Sequence, residues 1–154
     1  MAGGAEQVLV PVTRVAGNED LPLPSYASDG SAGLDLRAAV REELALAAGE
    51  RALVPTGLRV AIPRGFEGQV RARSGLALKF GIVLPNAPGT IDADFRGELS
   101  VILWNTGREP FAIKRGDRIA QFVVAPVARV AWQECAALED SARGAGGFGS
   151  TGAQ

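Results

Sequence analysis

Glycine and proline interrupt this chain too often for a long helix to form. The 154 residues hold 20 glycines and 9 prolines. Between them lie short apolar, often β-branched runs, with breaks every eight to twelve or so residues, the rhythm of many short strands joined by turns. Almost no stretch has a helical period. An all-β fold is expected: a jelly-roll or β-clip-like sandwich with one short helix and a Gly-rich C-terminal arm. Apolar content of 47% and the lack of a long linker predict a single domain with its own core.

Taken in order, Val8 to Val12 alternates around Pro11 and predicts an edge strand, because proline cannot donate to a ladder. Residues 18–31 are loop. In Ala32 to Arg37, Leu34 and Leu36 share one face and Asp35 and Arg37 the other. Arg51 to Arg64 predicts a hairpin turning at Pro55-Thr56-Gly57, and Phe66 to Arg71 another strand. Arg73 to Lys79 predicts the short helix, with Ser74 at its N-terminus. Leu99 to Trp104 is apolar on nearly both faces, as for a strand inside a core or against another subunit. Further strands are expected at Phe111 to Ile113, Asp117 to Val127, with Gln121 on the face of Ile119 and Val123, and Ala128 to Leu138. From Ser141 to Gly152 nearly every residue is small, which cannot build a core. The expected division is a jelly-roll body over 1–138 and a flexible arm over 139–154.

Charge and composition remove several functions. A net charge of -1 gives no general attraction for polymeric DNA or RNA, or for an anionic membrane, so phosphate binding depends on local arginines. With no histidine, acid–base chemistry falls to carboxylates and the usual zinc or copper ligand is missing. The single cysteine, Cys135, excludes an intrachain disulfide. Neither a signal-type leader nor a stretch of spanning length is present, so a cytoplasmic address is expected.

Five segments carry residues suited to chemistry. Asn86 to Glu98 is predicted to be a tight hairpin that puts a carboxylate, Asp92, and a ring, Phe95, on one small projection. Its backbone N–H and C=O groups suit the polar edge of a flat ligand. Arg73-Ser74-Gly75 suits an anionic oxygen at a strand-to-helix junction, though an N-cap beside a surface arginine explains it as well. A charged turn accounts for Arg115 to Arg118, and the Arg-Gly-Asp letters within it are a chance match to adhesion ligands, but Gln121 needs another reason. Of Asp35, Asp92 and Asp94, Asp92 is the better acid–base candidate, because it follows Ile91 in a short strand where no turn-former is required. In the tail, Arg143 and Phe148 read as disordered on composition alone, yet Phe148 has nothing local to pack against and so points to function.

Together these segments resemble the five ordered motifs of the trimeric dUTP diphosphatases. The matching stretches are Ala32 to Leu36, Arg73 to Ala77, Asn86 to Glu98, Arg115 to Gln121 and Arg143 to Gly152, in the family's order and over nearly the whole chain. The resemblance implies a jelly-roll homotrimer that hydrolyses dUTP to dUMP and pyrophosphate, lowering dUTP and supplying dUMP for dTMP synthesis. Each active site would be assembled from three chains. Asn86 and the backbone of Thr90, Ile91 and Asp92 would bind uracil, and Phe95 would pack on deoxyribose and reject a 2′-hydroxyl. Asp92 would activate the water that attacks the α-phosphorus. Ser74, Gly75 and Gln121 would hold phosphate oxygens, with Arg73 fixing the phosphates. Asp35 would hold Mg2+ through its waters. Arg143 would neutralise phosphate charge, Phe148 would stack on uracil as the arm closes, and Gly149 and Ser150 would join the substrate contacts.

The chain departs from the family pattern at two positions, with Ala72 where a proline is common and Phe95 where a tyrosine is common. Ser100 is carried as a ligand contact of some members outside the motifs. Two rivals remain, a dCTP deaminase-like enzyme on the same fold and a non-catalytic nucleotide-binding relative. Deaminases of that type are generally longer and need a glutamate in the base pocket; an intact Asp92 within all five motifs argues against the second.

Overall fold

The structure is a computed structural model and describes residues 7–147. It contains ten strands and one helix. One sheet orders β1 (Val12–Arg14), β4 (Arg51–Val60), β8 (Glu98–Asn105) and β6 (Ile82–Val83). The other orders β2 (Leu34–Arg37), β10 (Arg118–Pro126), β5 (Phe66–Arg71) and β7 (Gly89–Ile91). A third pair joins β3 (Leu44–Leu46) to β9 (Phe111–Ile113), and α1 spans Ser74–Phe80. Every pairing is antiparallel. Leu36, Val70 and Phe122 from one sheet meet Val54, Leu99, Val101 and Leu103 from the other in a single core, closed at one end by Leu46 and Ile113. This is the expected all-β jelly-roll sandwich with one short helix.

Sequence alternation sets the faces, and the structure corrects how several segments pair. In β8, Leu99, Val101, Leu103 and Asn105 are buried while Ser100 and Ile102 are half-buried and Trp104 is exposed, so only one face lies in the core of the single chain. Buried Asn105 is satisfied: its amide donates to the Leu46 and Glu109 carbonyls at 2.9 and 2.8 Å and accepts from Gly107 N–H at 2.9 Å, tying β3 and β9 to the sheet. The edge strand β1 begins at Val12, one residue after Pro11, whose carbonyl still accepts from Ala61 N–H at 2.9 Å.

Pro55-Thr56-Gly57 is not a hairpin turn. The strand β4 runs straight through it, and the ladder to β8 shifts register between Pro55 and Arg59. Proline removes a donor there and Gly57 takes φ +72°, while its N–H donates to Glu98 Oε1 at 2.8 Å and Thr56 Oγ1 donates to the Leu99 carbonyl at 2.7 Å. These are the marks of a bulge.

A bulge also lies between Arg118 and Ala120. It turns both Ile119 and Ala120 inward and leaves Gln121 off Ile119's face, opposite Asp35 on one side and Arg71 on the other.

The strand expected over Ala128 to Leu138 is absent from the single chain. Residues 127–140 join no ladder, although Val127 N–H donates to the Gly65 carbonyl at 2.9 Å, and Val130, Trp132 and Leu138 are 72%, 94% and 88% exposed. Extended apolar sequence becomes a strand only where a ladder partner is free. No helix among the described residues is long and apolar enough to cross a membrane.

Candidate active site

On the polar face of the second sheet, the β2–β10 ladder sets Asp35 opposite Gln121. The Asp35 side chain is only 15% exposed and is held by two guanidinium groups: Arg118 Nη1 donates to Oδ2 at 3.0 Å, and Arg73 Nε lies 3.3 Å from Oδ1. The second contact is a charge pairing without hydrogen-bond alignment, so Oδ1 is buried with no hydrogen-bond partner. Arg73 Nη1 also donates to the Arg118 carbonyl at 3.0 Å, and Arg37 Nη1 donates to the Gly116 carbonyl at 2.7 Å. Two cations on one carboxylate leave the cluster net positive, which favours an anionic ligand. Asp35, Arg37 and Arg118 line a small cavity of about 190 Å³ against Pro22, Leu23, Ser25 and Ala27.

Arg73 is the last residue before α1, and its side chain makes no capping bond to the helix. Ser74 and Gly75 are exposed in the first turn, with open space at the Gly75 α-carbon. Gly81 ends the helix in the left-handed region at φ 69°, where the backbone of Gly107 leaves no room for a side chain.

The second group lies on the segment after β6. Here the expected hairpin is corrected: β7 pairs only with β5, Thr90 opposite Gln69, and the chain then turns at Asp92 to Phe95 and crosses to β8 in the other sheet. As the edge strand of its sheet, β7 leaves one row of backbone groups free. Asn86, Thr90 and Asp92 are exposed, Ile91 half-buried, and the Phe95 ring 39% exposed. Arg96 Nη1 donates to the Ala93 and Phe95 carbonyls at 2.8 and 2.7 Å and braces the turn. Among the described residues, no hydrogen bond or ion pair joins Asp92 to the Asp35 cluster. Ser100 is half-buried in the other sheet, opposite Pro55.

Arg115 does something the motif does not suggest. It donates to both Asp20 carboxylate oxygens at 3.0 and 2.6 Å, to Asn18 Oδ1 and to the Gly17 carbonyl at 3.1 Å, and so pins the 17–20 loop. The Asp20 carboxyl is held below its ordinary range by that hydrogen bond, and the Arg115 guanidinium is raised by the same contact. A larger cavity of about 480 Å³ between Arg115, Glu98 and Arg41 contains none of the expected site residues. In the sequence a charged turn accounts for Arg118 and its ion pair is not legible; the one local hint is a charge at the first position of a strand whose only other polar residue is Gln121.

In the arm, Arg143 Nε donates to the Gly146 carbonyl at 2.8 Å, within a turn of its own making. Phe148, Gly149 and Ser150 lie outside the described residues.

These features define a class first: a jelly-roll protein with an acidic, ring-bearing edge projection and a separate arginine-bound carboxylate. The family model for dUTPase matches residues 19–152. The chain belongs to the dUTPase family, a family of enzymes. It is 57% identical over 151 residues to the deoxyuridine 5′-triphosphate nucleotidohydrolase of Methylocella silvestris, covering 97% of this chain and 94% of that one. To the protein of the same name from Rhizobium etli it is 60% identical over 141 residues, covering 90% of each. Among solved structures, the dUTPase of Staphylococcus bacteriophage 80alpha with dUPNHPP superposes with a TM-score of 0.85 at 26% identity, over 95% of this chain and 99% of the other. The fold also matches a mutant dUTPase of phage phi11 of S. aureus, whose structure reveals the coordination of a structural Mg(II) ion, with a TM-score of 0.77 at 23% identity, over 86% of this chain and 100% of that one.

Proposed function

We propose that this chain is a cytoplasmic, homotrimeric enzyme that hydrolyses dUTP to dUMP and pyrophosphate at sites shared between subunits. The observation that carries this reading is the separation of its two halves: an exposed Asp92 beside a free strand edge, and a half-buried Asp35 between two arginines, with no bond between them among the described residues. A site that needs both is complete when one copy's projection faces another copy's cluster. Exposed Val130, Trp132 and Leu138 on residues 127–138, with Leu53 and Trp104 on the outer sheet face, supply apolar surface of the kind that packs between copies. In this reading residues 1–138 form the body and 139–154 the arm over a neighbour's site.

Uracil lies against the free edge of β7, where the backbone of Thr90, Ile91 and Asp92 and the Asn86 amide read its polar edge, and Phe95 packs on the deoxyribose. The Asp92 carboxylate takes a proton from water as its oxygen attacks the α-phosphorus in line; the new P–O bond forms as the bond to the β-phosphate oxygen breaks, releasing pyrophosphate. Arg73, Ser74, Gly75 and Gln121 hold phosphate oxygens, Ser100 adds a contact, and Arg143, Phe148, Gly149 and Ser150 close from the third chain.

A divalent cation would fit the residues present once the triphosphate has offset the positive charge of the cluster. Asp35 Oδ1 is buried and lacks a hydrogen-bond partner, and among the described residues no group of three or more His, Cys, Asp and Glu forms a cage. That donor set suits Mg2+, which keeps most of its waters and takes other oxygens from phosphates, with Asp35 holding its water shell. Bound there, it supplies charge neutralisation of the triphosphate.

The test is incubation with Mg2+ and either dUTP or dCTP, assaying pyrophosphate and ammonia. Pyrophosphate from dUTP is expected, with kcat falling about 10²- to 10⁴-fold in Asp92→Asn while a non-hydrolysable dUTP analogue still binds. Undiminished pyrophosphate release by that variant, or ammonia from dCTP, overturns the reading.

A further inference from the structure

Three of the side chains given substrate contacts above rest directly on a glycine. A β-carbon at Gly33 would stand 3.2 Å from Gln121 Cβ, one at Gly89 would stand 2.9 Å from Asn86 Nδ2, and one at Gly97 would stand 2.6 and 2.8 Å from Phe95 Cζ and Cε2. None of the three has a φ in the left-handed region, so their backbone conformation is open to other residues. What these positions require is the absence of a side chain.

The shortest approach is at Gly97, where the outer edge of the ring occupies the place a β-carbon would take. The Phe95 carbonyl is held by Arg96 at 2.7 Å, so the backbone of the turn is braced and the ring's own torsions must absorb any intrusion from below. The ring is 39% exposed, so it has solvent to move into.

We infer that Gly97 is a positioning residue for dUTP turnover, forming the floor that sets how far the Phe95 ring projects toward the sugar. The inference rests on the reading of Phe95 as the deoxyribose-facing group. A methyl group at position 97 displaces the ring from the place at which it packs on the sugar. The contact with deoxyribose then loosens, and the crowding that rejects a 2′-hydroxyl is no longer in register with it. UTP has less contact to lose, so the preference for dUTP narrows.

The test compares the wild type, Gly97→Ala, Phe95→Ala and the double variant by steady-state pyrophosphate release from dUTP and UTP, with thermal midpoints. Gly97→Ala is expected to lower kcat/KM for dUTP about tenfold, carried mainly by KM, and to narrow the dUTP-over-UTP ratio. In the Phe95→Ala background the same substitution is expected to change kcat/KM by less than about twofold, because no ring remains to be displaced. Equal effects in the two backgrounds, or no effect in the wild type, overturn the inference. So does a drop in the Gly97→Ala thermal midpoint of more than about 8 °C, which assigns the glycine to the fold instead. If wild type hydrolyses dUTP but Phe95→Ala matches it in the dUTP-over-UTP ratio, the reading of Phe95 falls and the inference with it. Absence of dUTP hydrolysis by the wild type removes the proposed function itself.

Discussion

Arg118 Nη1 lies 3.0 Å from Asp35 Oδ2, an ion pair across the β2–β10 ladder that closes one side of a carboxylate whose other oxygen has no hydrogen-bond partner. The pair is asymmetric, with the aspartate side chain 15% exposed and the arginine 49%. Truncating the arginine leaves the more buried charge short of a partner. Arg118→Met is therefore expected to destabilise the protein by about 1–2 kcal/mol, read from urea denaturation at fixed protein concentration, with Arg118→Lys losing less. No change in Arg118→Met would mean that Arg73 alone suffices for Asp35.

The β4 bulge gives a second expectation. Gly57 has φ +72°, and a β-carbon there would stand 2.7 Å from Asn18 Cγ. Gly57→Ala meets both a left-handed backbone and a packed side chain, and is expected to cost about 1–3 kcal/mol. The thermal midpoint checks it. Gly30→Ala, with open space and no left-handed φ, is the control expected to leave the midpoint unchanged.

Acid sensitivity follows from Asp20. Hydrogen bonding to Arg115 lowers its pKa from the ordinary 3.8. A depressed folded-state value means that the ion pair adds stability above the unfolded-state pKa and loses it as pH falls through the folded one. In urea midpoints from pH 7 down to about pH 3, Asp20→Asn is expected to begin lower than the wild type, with the gap narrowing toward the acid end. A constant gap across that range would show that Asp20 acts by something other than its charge.

Removal of residues 141–154 takes away sequence of which the described part, 141–147, adds nothing to the core. The truncated protein is expected to keep its oligomeric state on gel filtration and lose turnover on the order of a hundredfold. Loss of the oligomer would contradict the division into body and arm.

The two tryptophans, Trp104 and Trp132, allow a direct test of where the 127–138 segment goes. Trp132 is 94% exposed in the single chain. In Trp104→Phe it becomes the sole emitter, and a blue-shifted maximum that moves red on dilution is the expected sign that it packs on another copy. A maximum at the fully solvated position at every concentration would exclude that packing.

Much of the fold is legible in local sequence. Alternation marks the core-facing side of Leu34 and Leu36, the left-handed turn at Gly116 follows from its glycine, and Arg73-Ser74-Gly75 falls at the start of the helix as its composition predicts. The candidate site is legible as a set of residues, yet its partners are not. Arg115 resembles a motif residue and proves to anchor the 17–20 loop, whereas Arg118 resembles a turn residue and proves to hold Asp35.

Taken alone, the sequence determined that strands would form, which side of most of them would be apolar, and which motifs were present. Those properties depend on neighbours within a few positions, through backbone geometry and the two-residue period of an extended chain. Tertiary structure alone decided that Pro55-Thr56-Gly57 is a bulge, that the segments before and after Asp92 join different sheets, and that residues 127–140 find no ladder partner in their own chain. It also decided that the edge of the Phe95 ring comes to rest against Gly97. Each of these depends on which distant backbone edge or surface is free to receive the segment, and contacts made across the fold carry no local periodicity from which to read them.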